Sequence, residues 1–413
     1  PDGQTAYKIS GTKIFISAGE HDLTENILHL VLAKLPDAPP GAKGISLFLV
    51  PKILVKSDGS LGARNGVACG ALEHKMGIKA SATCVMNFDE AEGYLVGKPH
   101  SGLRAMFTMM NTARLAVGIQ GLGLAETAYQ SAVAYAKERM QGRTLKGAKY
   151  PDKPADPIIV HPDVRKMLLT MRAQIEGARA LALWVGMAVD VAERHADEAK
   201  RQEADDLVAL MTPIIKAYLT DLGTEATNMG MQVFGGHGYI REHGMEQLAR
   251  DARIAQLYEG TNGIQALDLV GRKLPLGMGR LLRRFFHPVL AFIEANQSDA
   301  ELADFVLPLA KAFGRLQQAT AWVAQQGLRD PEEAGAAASD YLRLFALTAL
   351  AFMWAQAAKA VLAMPEAQRR DFHKAKLATA RFYMTRLLPQ TSALFAMINA
   401  GAKPIMASEE AWF

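Results

Sequence analysis

The sequence predicts an α+β chain: a partial sheet domain, then a helical bundle, then an additional C-terminal helical domain. Three observations predict this. Short β-prone runs separated by turn signals occupy the chain up to about residue 100. From about residue 101 the apolar period changes from two to 3.6, and no further strand pattern follows. After Pro275 a second Ala/Leu-rich, amphipathic helical section begins.

The β-prone runs are Tyr7–Ser10, Lys13–Ser17, Ile27–Ala33, Gly44–Val50, Met76–Ile78 and Thr83–Asp89. Pro36–Gly44 and Ser57–Gly70 carry the Gly, Pro, Asp and Asn that mark connections. Pro1-Asp2-Gly3-Gln4 reads like the middle of a turn between strands, so a preceding segment is expected. Helices are expected at Leu103–Gln141, Pro162–His195, Asp205–Phe234 and Gly263–Leu274, with Lys146–Asp156 as a polar connection. Ala, Gly, Ser and Thr recur three or four apart in Ala113–Ala136 and Ala217–Gly230, which lets helices approach closely. In the last section helices are expected at Leu302–Gln326, Asp340–Leu362 and Ala367–Ala400, with loops at Gln297–Asp299 and Gly327–Gly335. The resulting division is 1–100, 101–275 and 276–413.

Composition narrows the class. With 50% hydrophobic residues and a mean hydropathy of +0.02 the chain reads as globular. No uninterrupted apolar run reaches the roughly 18–20 residues that cross a bilayer, so no membrane association is expected. A net charge of +4, from 46 basic and 42 acidic residues, is too small to imply nucleic acid. Cys69 and Cys84 form neither a CxxC pair nor a Cys/His cluster. A reducing, cytoplasmic setting is the expectation, with no metal.

Three stretches carry candidate chemistry. Gln256–Gln265 places Glu259 before Gly260-Thr261 and a helix start, with Thr261 as N-cap. Glu259 is then a carboxylate on irregular backbone, either facing a cavity as a base or facing solvent. Gln232–Tyr239 has three glycines within four positions after a long helix, suited either to a helix C-cap and turn or to cradling phosphate oxygens. Tyr135–Arg143 ends the first long helix, where Arg139 either complements the helix dipole or holds a pyrophosphate. No glycine fingerprint follows a strand and opens a helix, so a nicotinamide Rossmann site is not supported. The histidines, including His161, His237 and His243, lack metal spacing.

In this order, and together with Arg250-Asp251, these stretches resemble the acyl-CoA dehydrogenase family over Lys8 to Arg272. Gly-Thr-Lys-Ile-Phe-Ile-Ser-Ala-Gly-Glu-His-Asp (11–22) and the appended C-terminal section look most like its 3-(methylthio)propanoyl-CoA dehydrogenases. The resemblance implies an acyl-CoA dehydrogenase-like fold with a partial β-barrel, a homodimer or dimer of dimers, and FAD held between the sheet domain, the bundle and a neighbouring subunit. It implies flavin contacts for Phe15 and Ser17, with Phe15 standing where many relatives have Trp. Arg139 and Gln141 match the segment reaching the FAD pyrophosphate. Gln232, Gly235 and Gly236 match the segment against its adenosine diphosphate portion, and Thr261 matches another cofactor contact. Gly263 stands where some relatives have a cofactor-binding Gln, and that role is not carried over.

Glu259 matches the family's catalytic base, with Tyr258 and Arg114 as substrate-side residues. In isovaleryl-type relatives the base immediately precedes the arginine matching Arg114; here that residue is Ala113, which cannot accept a proton. The implied reaction turns an acyl-CoA thioester into trans-2-enoyl-CoA. The Glu259 N–H and a ribityl hydroxyl polarise the thioester oxygen, and an electron-transfer flavoprotein accepts the electrons. Family members carry an N-terminal helical domain ahead of the segment matched here. Competing readings are an acyl-CoA oxidase, and a flavoprotein of this fold that binds nucleic acid or protein through Arg280–Arg284 and Arg369–Lys376.

Overall fold

The computed structural model describes residues 5–413, so the expectation for Pro1–Gln4 lies outside the described residues. The described residues form two compact units, divided between Ala113 and Arg114.

The first unit is an antiparallel sheet of β1 (Ala6–Ser17), β2 (Leu28–Lys34), β3 (Ile45–Pro51), β6 (Val67–Leu72) and β7 (Thr83–Val96). A separate pair joins β4 (Ile53–Val55) and β5 (Leu61–Arg64). The order is β1-β7-β3-β2, with β6 also on β7. Alternation puts Ile9, Val31, Phe48, Val50, Met86 and Phe88 into one core.

Two expectations change here. Ser57–Gly70 is not only a connection, and Met76–Ile78 is not a strand. Asn65 explains the first. Its amide donates to the Pro51 and Glu92 carbonyls, both at 2.8 Å, while its oxygen accepts from the Gly66 and Glu92 N–H groups, clamping the β5–β6 turn to the sheet.

The α-helices are α1 (Gly102–Glu138), α2 (Pro162–Arg194), α3 (Glu198–Phe234), α4 (Gly236–Tyr239), α5 (Met245–Arg253), α6 (Asn262–Asp268), α7 (Arg280–Asn296), α8 (Ala303–Arg329), α9 (Pro331–Leu362), α10 (Asp371–Phe382), α11 (Gln390–Asn399) and α12 (Lys403–Met406). α1 begins in the first unit and continues into the second. The small-residue spacing acts as expected at Gly121, where an added Cβ would lie 2.4 Å from the Leu219 carbonyl of α3.

Three boundaries move for identifiable reasons. Asp197 caps α3 by accepting from the Ala199 N–H, so that helix starts before Asp205. Asp330 caps α9 by accepting from the Glu332 N–H, with Pro331 at the first helical position; Gly335 is therefore helical and no long loop separates α8 from α9. The helix expected over Ala367–Ala400 is interrupted by a π-helical turn at Tyr383–Leu387 and by Pro389 before α11.

α9 is long and apolar enough by composition to cross a membrane, although polar residues such as Arg343, Thr348 and Gln356 interrupt its apolar run. Its side chains are instead core. Leu344 to Leu350 are fully buried, and the Trp354 indole donates to the Ala173 carbonyl of α2 at 2.9 Å.

Candidate active site

The turn between α5 and α6 is built on two consecutive left-handed residues, Glu259 at φ 57° and Gly260 at φ 84°. A glutamate there is uncommon and needs support from its surroundings. Three side chains from three helices supply it. Arg114 Nε on α1 donates to the Glu259 carbonyl at 3.3 Å. Gln265 Nε2 on α6 donates to the same carbonyl at 3.1 Å and to that of Gly260 at 3.3 Å. Lys216 Nζ on α3 donates to the Gly260 carbonyl at 2.7 Å and to Asn262 Oδ1 at 2.9 Å. Thr261 caps α6 as expected, its hydroxyl accepting from the Ile264 N–H at 3.3 Å.

Below the turn lies a buried polar layer. Lys216 and Gln265 are fully buried, and Arg114, 6% exposed, faces Asp268 at 3.9 Å. Asn262 Nδ2 donates to Asp221 at 2.7 Å, which also accepts from Gln256 at 2.6 Å. Burial pushes the Asp221 carboxyl up and the Lys216 ammonium down to about 8. The Tyr258 hydroxyl donates to Gln120 on α1; burial raises it, and the charge of Glu259 adds to that. In contrast to these groups, the Glu259 carboxylate accepts no hydrogen bond among the described residues. The backbone of the turn is fixed and its carboxylate is uncommitted, which suits a group that must take up a proton.

A second constellation gathers Arg139, Gln141, Gln232, Gly235 and Gly236 around one cavity of about 570 Å³. Gly235, at φ 59°, and Gly236 have open space where a Cβ would stand. Tyr135 and Phe234 stack at 4.1 Å along the wall. The connection before α2 is tied back by Gln141 N–H to the Asp156 carbonyl and by Asp156 N–H to the Gly142 carbonyl, both at 2.9 Å. Arg139 makes no ion pair among the described residues. An unpaired guanidinium, two carboxamides, bare glycine backbone and an aromatic stack fit a pyrophosphate with an attached purine. Thr261 stands apart from this cavity.

In the first unit, an irregularity between Lys13 and Ile16 turns Phe15 outward at φ 58°, 67% exposed. Ser17 lines a cavity of about 450 Å³ with Ile16, Ala18, His29 and Met86.

Residues 100–274 match the family profile described as acyl-CoA dehydrogenase, C-terminal domain, and residues 285–409 match acetyl-CoA dehydrogenase C-terminal like. The 3-methylmercaptopropionyl-CoA dehydrogenase of Ruegeria pomeroyi is 44% identical over 403 residues, covering 97% of this chain and 68% of that protein. The chain belongs to the acyl-CoA dehydrogenase family.

The broad-specificity linear acyl-CoA dehydrogenase FadE5 of Mycobacterium tuberculosis is 35% identical, covering 99% of this chain and 70% of that protein. Among solved structures, Caenorhabditis elegans ACDH-11 in complex with C11-CoA superposes with a TM-score of 0.77 at 20% identity, covering 99% of this chain. The chain spans 63% of ACDH-11 and about two-thirds of the curated relatives. Members of the acyl-CoA dehydrogenase family use FAD, and the donor set around Arg139 fits part of that cofactor.

Sequence reasoning missed Lys216, Asn262 and Gln265. The signal for Lys216 was a lone cation inside the apolar run Leu210–Leu219. It also treated the histidines as scattered, whereas His161 and His237 line the Arg139 cavity and His237 stacks on His243 at 4.8 Å. No group of metal-binding side chains occurs among the described residues.

Proposed function

We propose that this acyl-CoA dehydrogenase converts a short acyl-CoA thioester to its trans-2-enoyl-CoA, with FAD as cofactor and Glu259 as the base. The observation that carries the reading is the Glu259 turn: pinned carbonyls beneath an uncommitted carboxylate. Arg139, Gln141, Gln232, Gly235 and Gly236 would hold the pyrophosphate and adenosine portion, with Phe15, Ser17 and Thr261 as further contacts. FAD, when bound, supplies the oxidising power that accepts a hydride from the substrate β-carbon.

The chain's own residues do the rest. Glu259 removes the α-proton, which is far less acidic than a carboxylic acid. The bound acyl chain would exclude water from the space between the carboxylate and the thioester. Arg114 and Gln265 hold the carbonyl behind the base, so little reorientation is needed as the proton moves. Tyr258, fixed on Gln120, shapes the adjoining wall.

The Ruegeria relative's name supports 3-(methylthio)propanoyl-CoA as a substrate of this chain. An electron-transfer flavoprotein as acceptor, a homodimer or dimer of dimers, and a cytoplasmic location belong to the same proposal. So does the functional division into residues 1–100, 101–275 and 276–413. Neither the oxidase nor the nucleic-acid reading gains support. Among the basic residues offered for the latter, Arg280 pairs with Asp206 at 2.8 Å, Arg284 pairs with Glu203 at 2.9 Å, and Arg369 donates to the Leu362 and Met364 carbonyls.

The test is Glu259→Gln. The variant should keep its fold and flavin and lose dehydrogenation by several orders of magnitude. Anaerobic flavin bleaching by acyl-CoA at the wild-type rate would refute the assignment. Turnover of 3-(methylthio)propanoyl-, butanoyl- and octanoyl-CoA, compared side by side, tests the substrate class.

A further inference from the structure

We infer that Lys216 is a positioning residue for the base: its buried ammonium ties the Gly260 carbonyl and Asn262 to α3, holding the left-handed turn from which Glu259 projects. The inference rests on Glu259 being the base.

Its ground is the cost of the arrangement. An ammonium with no exposed surface is expensive to bury, and an unbranched apolar side chain would fill the same volume in α3 without that cost. Nor is Lys216 half of a close ion pair among the described residues. Its bonded acceptors are neutral, the Gly260 carbonyl at 2.7 Å and Asn262 Oδ1 at 2.9 Å. Asp221 on the same helix accepts from Asn262 Nδ2 at 2.7 Å. What the ammonium holds is therefore the turn, and through Asn262 the first residue of α6.

The turn needs holding. Two consecutive positive-φ residues, one of them a glutamate, persist only where surrounding groups over-determine them. Among the three side chains that donate to its carbonyls, Lys216 is anchored on α3, one of the longest buried helices of the unit. Asn262 Nδ2 also bonds the Ala217 carbonyl at 3.1 Å and Thr220 Oγ1 at 3.0 Å, so the same layer ties α6 to α3.

The groups acting electrostatically on Lys216 are Asp221 on α3, Arg114 on α1 and Glu259 on the turn. Lys216 thus sets where the base stands.

The experiment uses the full-length, flavin-loaded protein. Lys216→Met keeps the length of the side chain and removes the charge and donors. The expected result is a kcat reduced about 10- to 100-fold with KM changed less than about threefold. Independently of turnover, amide exchange in the 254–266 peptide should accelerate while the remainder of α3 stays protected. A variant with wild-type kcat and unchanged exchange overturns the inference. So does a loss of rate that only tracks a loss of folded, flavin-loaded protein.

If Lys216→Met does not fold, Asn262→Ala removes one acceptor of the ammonium at a half-buried position. It should lower kcat about three- to tenfold with the same acceleration of exchange, and wild-type behaviour there overturns the inference equally. Glu259→Gln separates the two readings. If it abolishes turnover while Lys216→Met behaves as wild type, only the positioning role fails. If Glu259→Gln turns over normally, the base assignment fails whatever Lys216 does.

Discussion

The Glu259 turn and the Arg139 cavity solve the same problem with opposite charges. Each must fix irregular backbone while leaving one side chain uncommitted. At the turn, the buried cation Lys216 and the side chains of Arg114 and Gln265 hold carbonyl groups, and the Glu259 carboxylate is left over. At the cavity, the fully buried anion Asp156 holds N–H groups. Its carboxylate accepts from Tyr150 at 2.8 Å and from Thr144 and Lys149 at 3.1 Å, and the Arg139 guanidinium is left over. Carbonyls need a donor and amides need an acceptor, so the sign of the buried charge follows from which end of the peptide groups must be held. The two regions should therefore fail separately.

The largest separation is expected between the two uncommitted side chains. Glu259→Gln should remove several orders of magnitude of turnover and leave flavin affinity unchanged. Arg139→Ala should do the reverse, weakening flavin binding roughly 10- to 100-fold, as loss of a charge-assisted contact predicts. Turnover per bound flavin should be preserved. Flavin titration alongside single-turnover reduction checks both, and a shared defect in both variants would break the comparison.

A smaller effect is expected from pH. Burial alone would raise the Asp156 carboxyl, but the amide donors of Lys149, Tyr150 and Thr144, with Arg143 nearby, hold it below the usual carboxylate range. A carboxyl lowered in the folded state stabilises that state above its unfolded pKa. This contribution is lost as pH falls through the lower, folded value. Amide exchange in the 141–157 segment should therefore accelerate selectively in acid, ahead of the 254–266 segment, and Asp156→Asn should produce that acceleration at neutral pH. Lys216 behaves oppositely. Its depressed pKa, about 8, means that the folded state gives up a proton before the unfolded chain does, so its contribution changes on the alkaline side. Equal acid sensitivity of the two segments would remove the charge-sign argument.

The smallest effect concerns Phe15. Because it is exposed in its own unit, Phe15→Ala should alter thermal stability by no more than about 0.5 kcal/mol. Any larger consequence should appear in flavin spectra and not in unfolding.

Much of this architecture was legible in the chain. The change of period near residue 101, the long helices and the cap at Thr261 follow from local pattern, which is a property of neighbouring residues. Capping residues were the weak point. Asp197 and Asp330 each begin a helix earlier than periodicity alone indicates, because a single side-chain bond to an orphan N–H decides the boundary. The β5–β6 region read as a connection because Asn65 and Gly66 look like turn residues. Only their bonds to Pro51 and Glu92 make them a clamp.

The sequence by itself determined that Glu259 would stand on irregular backbone at a helix start, and that Arg139, Gln141 and the glycines after Gln232 were the residues to watch. Tertiary structure alone decided that Lys216 lies beneath the turn, although 44 residues separate it from Gly260. It alone also decided that Asp156 organises the loop beside Arg139. Helical periodicity tells which face of α3 is buried but not what lies opposite. A buried charge is tolerable only when distant segments bring it partners, and those partners exist only once the chain has folded.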